Sequence, residues 1–453
     1  MSLREFLKQM EKQKEVLHVA ERVSPRFGIS YVVRCFDKDG PAILFENVRG
    51  FKTKVVANVS GTRSRMCRAL NVNSEGLYRK LVDAWRSPVK AKTVTNAAVK
   101  ERGEKAIDLT RIPVLTHFEK DAGPYITSGA VHARSADGEV ENLSVHRLQV
   151  LDKHRMAIRL VPRHLFKLWR TAKESGKDLD VAISIGVHPA VLLAAASPVP
   201  FGLNEYDVAN ALMNGRLKLV QCEGVDAAAP AEAELVLEGK ISAAEVAEGP
   251  FVDVTGTYDV QRVQPVVNVV GVMHREDYVY HALLSSGAEH MLLMGLPHEV
   301  LIWEAVSKVV PKVYAVNLSR GGSGWLHAII SVEKQLEGDG KNALLAAFGA
   351  HPSLKHAVVV DSDIDVFDAS EVEWAMATRF QGREDLVLMS DARGSTLDPS
   401  ADQEKVLTSK VGFDATRPFS KPKEKFERAR IPFNDDLEGL VRRLSGKSLK
   451  GSG

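Results

Sequence analysis

The chain has 453 residues, with 60 Lys and Arg against 58 Asp and Glu and a formal net charge of +2. That balance gives no global field for nucleic acid or an anionic membrane, and the length suggests two or three domains, each with its own core. Cys35, Cys67 and Cys222 lie far apart without Cys-x-x-Cys spacing, which speaks for reduced core thiols rather than a disulfide framework or a zinc site.

The amino terminus places Ser2 three residues before Glu5, as a helix capping box does, and it lacks the apolar core of a signal peptide. An amphipathic start through Leu17, strands at Ala42–Phe45 and Lys54–Ala57 and a helix over Glu75–Trp85 make residues 1–110 a small α/β domain. Near Ile112–Leu115 the texture changes. Short runs at Ile126–Ala133, Val140–Leu151 and Met156–Leu160, separated by turns at Ala136–Gly138 and Asp152–Lys153, predict antiparallel hairpins. Helix-like stretches at Leu165–Lys173 and Glu205–Leu212 interrupt them, and strands resume at Leu217–Gln221, Glu234–Leu237, Phe251–Thr255 and Val266–Val272. Residues 111–289 therefore read as a split β-barrel.

The most apolar region, Val181–Gly202, is broken by His188, Pro189, Ser197, Pro198 and Pro200, so no membrane span is expected and a cytoplasmic protein follows. From His290 the rhythm becomes strand and helix in turn: Met291–Met294, Glu299–Val309, Val313–Val316, Ala328–Val332, Val358–Val360 and Leu386–Met389. That pattern predicts a second α/β domain over 290–446 with a mostly parallel sheet. The polar, glycine-rich residues 447–453 read as a tail.

Three residues form a candidate metal set. The amide of Asn142, the imidazole of His164 and the carboxylate of Glu205 suit Mn²⁺ or Mg²⁺ with room for water and a phosphate oxygen, whereas zinc more often recruits thiolates or several histidines. Singly, each has an ordinary role as a strand-edge amide, a helix-start histidine or a first-turn carboxylate. Arg147, Glu248 and Asp253 form a second set. If the strands bring them together, the guanidinium grips a substrate carboxylate bidentately, and two acids with separated pKa values leave one able to give a proton. The alternative is a barrel ion pair and a Glu-Gly-Pro turn. Arg159 and Arg163 could fork onto a phosphate, and Lys410 could reach one as a point charge. The Ser319–Gly324 loop matches neither phosphate-binding glycine pattern and reads as a flexible loop on the substrate side.

Taken in order, Asn142-x-x-x-His146-Arg147, Pro162-Arg163-His164, Asn204-Glu205-Tyr206-Asp207 and Glu248-Gly249-Pro250-x-x-Asp253 resemble the UbiD-type decarboxylases. Asp121–Thr127 and Ser409–Thr416 extend the resemblance over nearly the whole chain. It implies an amino-terminal α/β domain, a split barrel that binds prenylated FMN, and a carboxyl-terminal α/β domain that mediates a homodimer or larger homo-oligomer. It also implies reversible, non-oxidative decarboxylation of an α,β-unsaturated acid through a covalent adduct with prenylated FMN, a cofactor made by a flavin prenyltransferase.

By position, Val145, His146, Arg147, Arg159, Leu160, Val161 and His164 fall where the family contacts the flavin, with Lys410 on its phosphate. Asn142, His164 and Glu205 match metal ligands, and Arg147, Glu248 and Asp253 match the catalytic triad with Asp253 as proton donor. K⁺ is implied near the metal, with Ala195, Ser197 and Val199 as its segment. The low aromatic content and the chain length resemble the archaeal branch acting on anhydromevalonate phosphate in isoprenoid synthesis, with a polyprenyl-hydroxybenzoate or other aromatic acid as the alternative. An FMN oxidoreductase or a non-catalytic flavin binder is the alternative of another class, but no nicotinamide fingerprint follows a predicted strand.

Overall fold

The structure is a computed structural model that describes residues 1–104 and 107–432 and a few positions between 437 and 444; the tail at 447–453 lies outside the described residues. The Leu3–Lys12 helix begins with the capping box, Ser2 and Glu5 satisfying each other's backbone donors, and buries Leu3, Phe6, Leu7 and Met10. It ends before Leu17, because Lys14 takes a left-handed φ of 58° and turns the chain into the Val16–Val23 strand. That strand starts a four-stranded sheet with Ala42–Val48, Lys54–Ala57 and Val279–His281. The last of these enters after the barrel and joins the amino-terminal layer to it.

Six antiparallel strands form the central barrel in the order Leu235–Glu248, Leu179–Ile185, Tyr125–Arg134, Glu141–Val150, Arg155–Ile158 and Arg262–His274, closed by pairing of the first with the last. Closure removes the exposed edges that an open antiparallel sheet would leave. Leu148, Met156, Ile158, Val181, Ile183, Leu237 and Val267 share one buried core, while Leu143, Ala130, Ala182 and Val236 pack into a second core with the Pro189–Ala195 and Glu205–Leu212 helices. The barrel strands thus bury alternate residues on two sides, which is why their apolar runs show little alternation.

The carboxyl-terminal sheet has five strands in the order Lys312–Leu318, His327–Glu333, His356–Asp361, Leu407–Asp414 and Leu386–Arg393. Its three central strands are parallel, and each edge strand pairs antiparallel. Met291–Met294, expected as a strand, lies inside the Ala288–Val306 helix. Four apolar residues do not distinguish a strand from a buried helix, and here Asp37 Oδ1 accepts from Ala288 N at 2.6 Å and so anchors the helix start.

Candidate active site

The Glu141–Val150 strand supplies residues to both halves of the site. Alternation places Asn142, Ser144 and His146 on one side, where they form a hydrogen-bonded row: Ser144 Oγ lies 2.9 Å from Asn142 Oδ1 and 2.9 Å from His146 Nε2. Glu205 begins its helix just after the Asn204 cap, whose side chain accepts from Tyr206 N at 2.8 Å. Its carboxylate accepts from Asn142 Nδ2 at 3.0 Å and Leu143 N at 2.7 Å, and His164 Nδ1 stands 3.7 Å from the same carboxylate. Asn142, His164 and Glu205 therefore converge.

The donors in this row fit a cation. Burial holds the His146 pKa down to about 4, so the ring is neutral and carries one proton. His146 Nδ1 faces the Arg159 carbonyl at 2.9 Å, an acceptor, so the proton sits there and Nε2 must accept from the Ser144 hydroxyl. Ser144 then has no proton for Asn142. The consistent arrangement turns the Asn142 amide over, with Nδ2 on Ser144 and Oδ1 facing Glu205, and an amide oxygen against a carboxylate calls for a positive ion between them. Among the described residues no three His, Cys, Asp or Glu side chains form a metal cluster; this set has one carboxylate, one imidazole and one amide.

On the neighbouring position of the strand, Arg147 reaches the other set. Its Nε and Nη2 donate to Glu248 Oε1 and Oε2 at 2.9 and 3.0 Å, Nη1 to Asp253 Oδ2 at 3.3 Å, and Nη2 also to Asp259 Oδ2 at 3.0 Å. Burial opposes the guanidinium charge, but Glu248, Asp253 and Asp259 together outweigh it and the Arg147 pKa is raised. A guanidinium has five N–H donors and four are engaged, which leaves one on Nη1. The expected bidentate grip on a substrate carboxylate is corrected accordingly: Glu248 holds the fork, and Arg147 has a single hydrogen to offer an incoming anion.

Gly249 makes the turn between the two acids. Its φ is 92°, and an added Cβ would stand 3.3 Å from the Val260 carbonyl and 3.4 Å from Gln261 Cα. The chain thereby folds back into the Phe251–Val252 and Tyr258–Asp259 hairpin that carries Asp253 and Asp259. Phe251 packs on Tyr125 at 4.3 Å between ring centroids and under the Arg147 guanidinium at 5.0 Å. Gln149 Oε1 accepts from both Tyr125 Oη and Gly249 N, tying the turn to the strand that bears Arg147.

The other expected contacts are more scattered. Leu160 N is held by Gln264 Oε1 at 2.7 Å, Val145 packs against the core that holds the Pro189–Ala195 helix, and Val161 is exposed. Arg159 Nε lies 3.6 Å from Asp259. Partial desolvation and the nearby Arg393 both lower the Arg163 pKa, and neither arginine has a carboxylate partner among the described residues. Lys410 is buried with its Nζ 2.6 Å from the carbonyls of Pro352 and Leu354, and burial alone lowers its pKa to about 8. In the segment chosen for K⁺, the Ser197 carbonyl accepts from Val199 N while Ala195 ends a helix. The Ser319–Gly324 loop is tied through Arg320 Nη2 to Asp37 at 2.5 Å, which gives it an interdomain packing role.

Sequence reasoning missed Asp259, Arg262 and His290. Asp259 sits six residues beyond Asp253 on the returning strand of the same hairpin, and only the hairpin register points to it. Arg262 donates to Asp259 Oδ1 from Nε at 3.2 Å and Nη2 at 3.0 Å. His290 accepts from Ser286 N at 3.1 Å through Nδ1, which leaves Nε2 carrying its proton. Burial lowers the His290 pKa, with Asp253 pulling it up and Arg147 pushing it down, so the ring stands beside the triad.

Comparison with known proteins agrees with this geometry. Profiles of the 3-octaprenyl-4-hydroxybenzoate carboxy-lyase family match the N-terminal domain over residues 7–85, the Rift-related domain over 90–288 and the C-terminal domain over 291–415. The chain belongs to the UbiD family. Among UbiD relatives, the anhydromevalonate phosphate decarboxylase of Methanothermobacter thermautotrophicus is 43% identical over 94% of this chain and 99% of its own. The UbiD-class enzyme HmfF from Pelotomaculum thermopropionicum, solved in complex with FMN, superposes with a TM-score of 0.94 at 41% identity, covering 97% of this chain and 100% of that one. An evolved dimeric form of HmfF with prFMN gives 0.89 at 40% identity, covering 95% and 97%. No helix among the described residues is long and apolar enough to cross a membrane.

Proposed function

We propose that this UbiD-family chain is a prenylated-FMN-dependent decarboxylase that removes carbon dioxide from anhydromevalonate 5-phosphate. The observation that carries the reading is the Arg147–Glu248–Asp253 network beside the Asn142–Glu205–His164 set, both reached from one barrel strand. A divalent ion, Mn²⁺ or Mg²⁺, would be held by Asn142, His164 and Glu205 and would supply positive charge for a flavin phosphate. Arg159, Arg163 and Lys410 would hold the cofactor's phosphate, and Val145, His146, Leu160 and Val161 would contact the flavin. K⁺ binds near Ala195, Ser197 and Val199. A flavin prenyltransferase supplies the cofactor, and the protein assembles as a homo-oligomer in the cytoplasm.

When bound, the flavin supplies an electron sink for the pair left as the carbon–carbon dioxide bond breaks. The protein manages charge and proton. Asp253 gives its proton to the vacated carbon, forming the new C–H bond, and regains one from solvent after carbon dioxide leaves. Arg147 holds Glu248 and Asp253 in fixed relation, and its remaining Nη1 hydrogen orients the departing carboxylate. Support for a phosphorylated substrate comes from the 43% identical relative and from Arg163, a guanidinium without an acidic partner among the described residues.

Holoenzyme incubated separately with anhydromevalonate phosphate, its dephosphorylated form and a hydroxybenzoate tests the reading by released carbon dioxide. Turnover of the first alone is expected. Faster turnover of the hydroxybenzoate would overturn the substrate assignment.

A further inference from the structure

Around Arg147 lies a charge cluster wider than the matched triad. Three guanidinia, Arg147, Arg159 and Arg262, surround the single carboxylate of Asp259: Arg147 Nη2 at 3.0 Å and Arg159 Nε at 3.6 Å on Oδ2, and Arg262 Nη2 at 3.0 Å on Oδ1. With Glu248 and Asp253 the cluster holds three positive and three negative groups. Without Asp259, Arg147 keeps Glu248 and Asp253, but no carboxylate bridges it to Arg159. Burial chiefly, and Arg147 to a lesser degree, already lower the Arg159 pKa while Asp259 raises it, and without Asp259 the like charges would push the two side chains apart.

We infer that Asp259 is a positioning residue, which holds Arg147 and Arg159 in one ion-paired cluster and so sets the charge that the acid at Asp253 meets. The inference deepens the proposed decarboxylase reading and rests on Asp253 being its proton donor. The geometry supports it independently of any ligand. Asp253 and Asp259 lie on the two arms of one hairpin and contact different nitrogens of the same guanidinium, so the placement of one depends on the other.

Arg147 on the barrel strand and His290 from the Ala288–Val306 helix act on Asp253 directly, while Glu248 before the turn, Asp259 on the returning arm and Asp121 from the loop before the barrel act on the same Arg147. Replacing the Asp259 carboxylate by an amide removes one negative neighbour and frees positive charge on Arg147 and Arg159. Both changes favour the ionised form of a nearby carboxyl, so protonation would need a lower pH.

The test is an infrared titration of the protonated-carboxyl band in apoprotein, assigned to Asp253 by its loss in Asp253→Asn. The midpoint is expected to fall by about one pH unit in Asp259→Asn and to return toward the parent value in Asp259→Glu. Arg262→Gln, which strips a positive charge from the far side of Asp259, is expected to move it upward, and this variant keeps the test open if Asp259→Asn fails to fold. An unchanged midpoint in the variants overturns the inference, as does holoenzyme activity that falls equally at all pH values. Carbon dioxide release by the parent is measured alongside. A parent that turns over no acid counts against the proposed reaction, while the apoprotein titration still decides the role of Asp259.

Discussion

Arg147 donates to both oxygens of Glu248, at 2.9 and 3.0 Å, and Glu248 is wholly buried. Removing Arg147 strands a buried carboxylate, and removing Glu248 leaves the buried guanidinium with only Asp253 and Asp259. Glu248→Ala is expected to lower stability by about 3–5 kcal/mol, read by chemical denaturation. Glu248→Gln keeps the shape and one acceptor, so it should fold yet lose about 10²-fold or more in carbon dioxide release. A Gln variant with parental turnover would show that the pair is structural only.

The hydrogen-bonded row predicts that Ser144 orients Asn142 for a cation. Mn²⁺ uptake by the apoprotein, followed by equilibrium dialysis, should weaken by at least about tenfold in both Glu205→Gln and Ser144→Ala. Ser144 Oγ lies 2.9 Å from the Asn142 side-chain amide and is an orienting group, not a ligand. If Ser144→Ala binds Mn²⁺ as the parent does, the amide does not depend on the His146 row.

Legibility in the sequence followed the chemistry of each element. Glu205–Leu212 was predicted with its observed bounds, because Asn204 caps it and its apolar residues recur at helical spacing. Leu235–Glu248 was visible only in its first residues. Its second half, rich in alanine and glutamate, has Val246 as its one β-branched residue and is held as a strand by pairing with Arg262–His274. That half ends at Glu248, so the acid was found from its motif and not from its strand. Asp259 and His290 carry no motif. They join the site through a hairpin register and a helix start, which depend on long-range packing.

His117 offers a stability test away from the chemistry. Both ring nitrogens are buried without partners, and burial lowers its pKa to about 4. The folded state keeps the ring neutral while the unfolded chain takes a proton below pH 6.5. Stability from this residue is full above that pH and falls as the pH drops toward 4, by about 2 kcal/mol at pH 5. Denaturation of His117→Phe at pH 7 and pH 5 should show a smaller loss than the parent. An equal loss would exclude His117 as a source of acid sensitivity.

Gly249 holds a φ of 92° between Glu248 and the hairpin of Asp253. Gly249→Ala is expected to cost about 1–3 kcal/mol and to reduce turnover further than stability explains, since both acids flank the turn. Unfolding midpoints and single-turnover rates separate the two effects. Parental rates in a destabilised variant would show that the turn tolerates displacement.

The central claim is that Asp253 delivers the proton that replaces carbon dioxide. The direct measurement is deuterium incorporation at the decarboxylated carbon by holoenzyme in D₂O, compared between the parent and Asp253→Asn with equal flavin content. The account predicts one deuterium per turnover in the parent and a loss of about 10²-fold or more in the rate of labelled product from Asp253→Asn. Labelled product formed at the parental rate by Asp253→Asn would contradict it.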